Sequence, residues 1–201
     1  MRESHGEANA PSCERNREPI WTCLRDHFAD RRTVLEIGSG TGQHAVYFAA
    51  AFLHPTWQDS DRADKSGGID AWLDEDGPLL PHARRDRVLD VNAAWPRHLP
   101  TRSSVLNTLC TSWSGPISSA CLPACRDILA SDARLVNHGP FNYGGNSPAR
   151  AMAFDAWLMG RAPHQAYAIS RRSTRCLKAG LVLLEDRAMP SNNRCIVWRS
   201  A

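Results

Sequence analysis

The chain has 201 residues, 42% of them hydrophobic and 22% charged, with 24 Lys and Arg against 21 Asp and Glu. A formal net charge of +3 is too small to point to nucleic acid by itself. The longest apolar runs, such as Leu181-Val182-Leu183-Leu184, are far too short to span a bilayer, and the length suits one α/β domain with a proper core.

The first residues, Met-Arg-Glu-Ser-His-Gly-Glu, lack the apolar core of a secretory signal, so a cytoplasmic protein is expected. Residues 1–15 are polar and read as a loose N-terminal segment; 16–201 read as a single domain. Glu18–Phe28 is expected as a short helix with Pro19 in its first turn. Thr33–Ile37 is a continuous apolar run broken only by Glu36, and predicts a strand buried on both faces. Gln43–Phe52 predicts a helix with Ala45, Val46, Ala49 and Phe52 on one side. Thr56–Asp61 and Arg87–Val91 predict two further strands, the first closing on an acid and the second containing one, Asp90. Ile69–Asp74 predicts a helical turn between them. After Pro96 the pattern weakens. Arg134–Val136 predicts a strand before the turn from Gly139 to Gly145, and Ala151–Met159 a helix. Gly180–Leu184 and Arg194–Trp198, split by a polar loop, predict an antiparallel pair.

Seven cysteines are scattered, with no CxxC pair, and Cys121 and Cys125 find no second pair to complete a zinc set. Free thiols in a reducing compartment, and no metal, are expected. Arg171, Arg172, Arg175 and Lys178 read as a solvated basic face.

The chemistry concentrates between the first strand and the helix after it, in Glu36-Ile37-Gly38-Ser39-Gly40-Thr41-Gly42. Gly38 and Gly40 allow positive φ and a close approach of backbone to a ligand, and Gly42 lets the helix start near the strand. The free N–H groups of the first helical turn offer hydrogen bonds. A pyrophosphate loop usually reads G-x-G-x-x-G, and an acid beside phosphates would repel them. The G-x-G-x-G spacing, with Glu36 two residues ahead, instead resembles motif I of class I S-adenosylmethionine-dependent methyltransferases, whose cofactor is cationic and carries no phosphate.

That resemblance implies a Rossmann-like fold: a mostly parallel sheet with an antiparallel last strand and helices on both faces. It also implies that Glu36 and the loop Gly38, Ser39, Gly40, Thr41 and Gly42 hold the amino-acid part of S-adenosylmethionine. Asp61, about twenty residues on, would bind the ribose, with Asp59 as its near competitor. Asp90 would lie on the adenine side. His44 faces either the ligand or solvent. Asn107, and Asn142 with Tyr143, would belong to the acceptor side. No catalytic base and no acceptor are identified. A non-catalytic binding module on the same fold is the first alternative, and an NAD-dependent oxidoreductase, disfavoured by the loop spacing, the second.

Segments outside the loop are similar to the uncharacterised methyltransferase-like family that includes methyltransferase-like protein 26 of animals. They are Asn16–Ile20, Val34–Ala45, Trp57-Gln58, Ser60-Asp61, Asn107-Thr108-Leu109, Gly139–Gly145, Phe154-Asp155, Met189-Pro190 and Asn192-Asn193. Residues 101–127 and 166–178 depart from the family pattern. Read two bases later through permitted codons, both can regain it, as compensated frameshifts would allow. On that reading the fourth strand has lost its apolar face. Cys110, Cys121, Cys125, Cys176 and the basic cluster around Arg171 then carry no functional meaning.

Overall fold

The computed structural model describes residues 10–52, 54–63, 68–72, 83–90, 103–107, 128–140 and 180–201. In chain order these form α1 (Pro11–Phe28), β1 (Thr33–Ile37), α2 (Gln43–Ala51), β2 (Thr56–Asp61), β3 (Ala83–Val88), β4 (Ser103–Asn107), β5 (Arg134–Pro140), β6 (Leu181–Ala188) and β7 (Asn193–Ser200). One seven-stranded sheet runs in the order β3-β2-β1-β4-β5-β7-β6. The pairs from β3 across to β5 are parallel, whereas β7 is antiparallel to both β5 and β6. The last strand is thus the one reversed strand, as expected. The chain order changes direction between β1 and β4, which makes the carboxyl ends of those strands a topological switch point.

Period-two alternation feeds two cores. Leu35, Val105, Leu135 and Ile196 face one layer; Val34, Leu106, Val136 and Val197 face the other. The second layer is closed by α1 and α2. The buried residues of α1, Ile20, Cys23, Leu24 and Phe28, recur at helical spacing and meet Phe48, Phe52 and Trp57.

Four expectations need correction. The first helix begins at Pro11, so residues 11–15 are not loose; Ala10 N–H donates to Gln43 Oε1 at 2.6 Å and anchors that end. The third strand is Ala83–Val88, four residues earlier than expected at its start, because a sheet-edge strand does not need apolar side chains. The fifth continues past Gly139 to Pro140, paired with β7 along its whole length. The fourth strand keeps its burial: Ser104, Val105 and Leu106 are each fully buried between β1 and β5. Two apolar residues suffice there because both neighbours supply ladder partners. The helix expected over residues 151–159, residues 166–178 and most of 101–127 lie outside the described residues.

Candidate cofactor site

Beyond β1 the chain turns through Gly38, Gly40 and Gly42 with φ of 74°, 60° and 89°, all left-handed. The N–H groups of Gly38 and Ser39 both donate to the carbonyl of Ser60, at 2.8 and 3.0 Å, and Gly42 N–H donates to the Ser39 carbonyl at 2.9 Å. Gly40 N–H donates to Asp61 Oδ2 at 2.8 Å. The loop is therefore fastened to the carboxyl end of β2. A Cβ on Gly42 would come within 3.0 Å of the Ile69 backbone, whereas one on Gly40 would meet nothing closer than 4.0 Å. Gly42 is required by packing; Gly40 opens onto space.

Glu36 is fully buried beneath this loop. Trp57 Nε1–H donates to its Oε2 at 2.9 Å. Among the described residues, Oε1 is the one buried side-chain oxygen or nitrogen without a hydrogen-bond partner. Burial pushes the carboxyl up to about 8; the Trp57 hydrogen bond opposes the shift, and the charges of Asp59 and Asp61 add to it. Ser60 locks the seam, its hydroxyl donating to the Glu36 carbonyl at 2.5 Å and its N–H to Ser39 Oγ at 3.2 Å.

The other two acids stand where the strand ends put them. Asp61 closes β2 and is partly exposed, while Asp59 is buried. Asp90 is half-buried, two residues past the end of β3, and Leu89 N–H donates to the Asp61 carbonyl at 2.8 Å, which ties the two strand ends together. Glu36, Asp59 and Asp61 share one electrostatic neighbourhood, with Asp90 joined to it through the backbone.

His44 does not lie on a solvated helix face. It is buried, its Nε2 is 3.3 Å from the Cys13 carbonyl oxygen, and its ring lies 5.4 Å from that of Phe48. Burial pushes it down to about 4, so it is neutral at pH 7. Asn107 ends β4 in register with Ile37 of β1 and Asn137 of β5, at the switch point. Asn142 and Tyr143 lie outside the described residues. Thr41 donates its hydroxyl to Gln43 Oε1 at 3.0 Å.

Sequence reasoning missed three neighbours of the loop. Cys13 of α1 hydrogen-bonds the Thr41 side chain, and burial together with Glu36 raises its thiol to about 11. His138 of β5 is buried and pushed down to about 3, first by burial and then by His44. Asn137 is buried beside it in sequence. Cys13 comes from α1 and the other two from β5, so no local signal joins them to the loop. Only the strand ending Asn137-His138-Gly139-Pro140 before a glycine-rich stretch hinted at a pocket edge.

This strand order, with a reversed last strand and an acid set under a three-glycine turn at the switch point, is the Rossmann-like class I methyltransferase fold. Residues 7–200 match the family described as protein of unknown function DUF938, and the chain belongs to that family. Solved structures with the same fold include the apo S-adenosylmethionine-dependent methyltransferase SibL, at 18% identity and a TM-score of 0.75 over 94% of this chain and 55% of that one. An O-methyltransferase family protein from Burkholderia thailandensis is similar at 13% identity and a TM-score of 0.74, over 94% and 57% of the two chains. The mitomycin 7-O-methyltransferase MmcR follows at 17% identity and 0.72, over 87% and 50%. The chain thus spans about half the length of these proteins.

Proposed function

We propose that the chain is an S-adenosylmethionine-dependent methyltransferase. The observation that carries this reading is the buried Glu36 carboxylate, whose Oε1 lies unpartnered beneath a glycine turn. A cationic ligand over that turn would complete the hydrogen bonding and favour the charged carboxylate. The residues fit the cofactor: Glu36 with the backbone of Gly38, Ser39, Gly40, Thr41 and Gly42 would hold its amino-acid part, Asp61 its ribose and Asp90 its adenine side. S-adenosylmethionine supplies an activated methyl group on a sulfonium, with its own leaving group. The protein's task is then to bind, align and exclude water rather than to provide a strong base. Asn107, at the end of β4, borders the same crevice.

The nicotinamide alternative fits poorly. A buried acid would face the pyrophosphate, and the Gly40 N–H that a phosphate would use is taken by Asp61. The non-catalytic module is less favoured at β4, which is formed and buried; residues 108–127, the rest of the departing block, lie outside the described residues. The closer kinship with methyltransferase-like protein 26 belongs to the same proposal and rests on the segments quoted above. So does a cytoplasmic setting; Cys13, Cys23 and Cys195 are all free thiols, and no helix among the described residues is long and apolar enough to cross a membrane. The acceptor stays open, with Asn142 and Tyr143 proposed on its side.

Calorimetric titration with S-adenosylmethionine and, separately, with NAD tests the reading. Saturable binding of the first and none of the second is expected. Turnover is then sought with labelled methyl groups across small-molecule and protein acceptors; binding without any methyl transfer would favour the module.

A further inference from the structure

Far from the glycine turn, on the α1 side of the sheet, four chemically unlike donors converge. Cys23 and His27 sit four residues apart on α1 and so share one helix face. Glu185 of β6 and Cys195 of β7 meet them from below. The Glu185 position depends on a bulge. Leu183 pairs with Trp198 and Glu185 with Val197, so one extra residue, Leu184, is inserted between them. Without it, Glu185 would share the face of Leu183 and Trp198; with it, Glu185 and Arg187 point to the face of Val197 and Cys195, under α1.

The geometry is tight. One ligand atom each from Cys23, His27 and Glu185 lies within 4.8 Å of the others. His27 Nε2 and Glu185 Oε2 are 2.7 Å apart. The Cys195 thiol shares a hydrogen bond with that of Cys23. Around a tetrahedral zinc with bonds of roughly 2.0–2.3 Å, ligand atoms stand about 3.3–3.8 Å apart, so shifts on the order of 1 Å convert the cluster into a coordination shell. Outer support is in place as well. Arg187 Nε donates to Glu185 Oε1 at 2.6 Å, and its Nη groups are held by Asp26 at 2.9 Å and the Thr22 carbonyl at 2.8 Å. The guanidinium thus grips both carboxylate oxygens, its Nη2 donating to Oε2 at 3.1 Å, while Oε2 also meets His27; its charge offsets that of a thiolate–carboxylate set. Entry is open from one side: the side chains of His27 and Glu185 are 17% and 29% exposed, whereas both thiols are buried.

We propose that Cys23, His27 and Glu185, with Cys195 as the fourth ligand, form a structural site for a borderline-soft divalent metal, zinc being the best match to the mixed sulfur, nitrogen and oxygen donors. On binding, the Cys23 and Cys195 thiols each release a proton to solvent as the sulfur–metal bonds form, while the imidazole and the carboxylate coordinate through nitrogen and oxygen lone pairs. The metal would pin α1, the helix whose other end covers the glycine turn, to the β6–β7 pair. Sequence spacing alone shows only the Cys23–His27 half of this set.

The full chain, chelator-treated and kept reduced, is titrated with Co²⁺ as a spectroscopic probe. A thiolate-to-cobalt charge-transfer band with the visible bands of tetrahedral cobalt, both displaced by Zn²⁺, is expected. Cys23→Ser should lose about half of the charge-transfer intensity, since the Cys195 thiolate remains, and His27→Gln should weaken binding by roughly tenfold or more, with circular dichroism confirming the fold. Zinc should also raise the thermal midpoint of the native chain and not that of His27→Gln, a readout independent of whether Cys23→Ser folds. Folded native protein without these bands, or bands and stabilisation that survive both changes undiminished, overturns the proposal by leaving the metal unbound or on other cysteines.

Discussion

Glu36 is the residue on which most depends. A carboxyl raised to about 8 is mostly neutral at pH 7 in the free protein. A cationic cofactor favours its charged form, so binding at pH 7 should release a proton, and affinity should rise with pH up to about 8. Titrations in buffers of different ionisation heat measure that release directly. Glu36→Gln keeps an acceptor for Trp57 but cannot ionise; it should abolish the proton release and weaken binding by roughly tenfold or more. Gly40 supplies a second residue-scale prediction. Its Cβ would meet open space, yet its φ of 60° is left-handed. Gly40→Ala should cost about 1–2 kcal/mol of stability, and Gly40→Val should also remove cofactor binding while circular dichroism still shows the fold. Gly38, Gly40 and Glu36 were legible in the sequence, because each type has one physical reason to stand there. Trp57, Ser60 and Cys13 were not legible as neighbours of Glu36, since only the register of β1 against β2 and the path of α1 bring them together.

At the scale of elements, β1 and β7 were readable because central, doubly buried strands are written as apolar runs, whereas β6 showed itself by an apolar run although it is an edge strand with Val182, Leu183 and Leu184 exposed. The acid-rich β2, Trp57-Gln58-Asp59-Ser60-Asp61, was found by its Trp and its place after Pro55, and its acids mark the site. Edge strand β3 is Ala-Arg-Arg-Asp-Arg-Val, and polarity pushed its expected position onto the apolar pair at its end. The start of α1 was missed because Pro11–Arg15 has no apolar stripe; it is held by hydrogen bonds to Gln43 and His44 of α2. Gln43→Ala should therefore loosen that end. Amide hydrogen exchange at Ala10 and residues 12–14 is expected to speed up roughly fivefold, as the loss of about 1 kcal/mol implies, while the Leu24–Phe28 end stays protected. Leu24→Ala, by contrast, empties a fully buried site and should cost about 2–5 kcal/mol in denaturant unfolding.

The whole molecule inherits a pH profile from three buried groups. The folded protein keeps the Glu36 proton that the unfolded chain releases above about 4.5, so that contribution is full below this value and lost as pH rises towards 8. His44 and His138 act oppositely. Held down at about 4 and 3, they contribute fully above about 6.5 and lose it as pH falls. Between 4.5 and 6.5 two histidines outweigh one glutamate, and above 6.5 the glutamate acts alone. The thermal midpoint should therefore peak near pH 6.5 and decline towards 8, and Glu36→Gln should flatten that decline. A change that holds stability at higher pH yet weakens binding is the mark of a residue kept for its ligand.

Isothermal titration of the chain with S-adenosylmethionine at pH 7, in two buffers of different ionisation heat, tests the central claim most directly. Saturable binding with net proton release is the predicted result, with binding absent in Gly40→Val and, in Glu36→Gln, weaker by roughly tenfold or more and without proton release. No heat of binding from folded protein, or binding of equal strength in both variants, would contradict it.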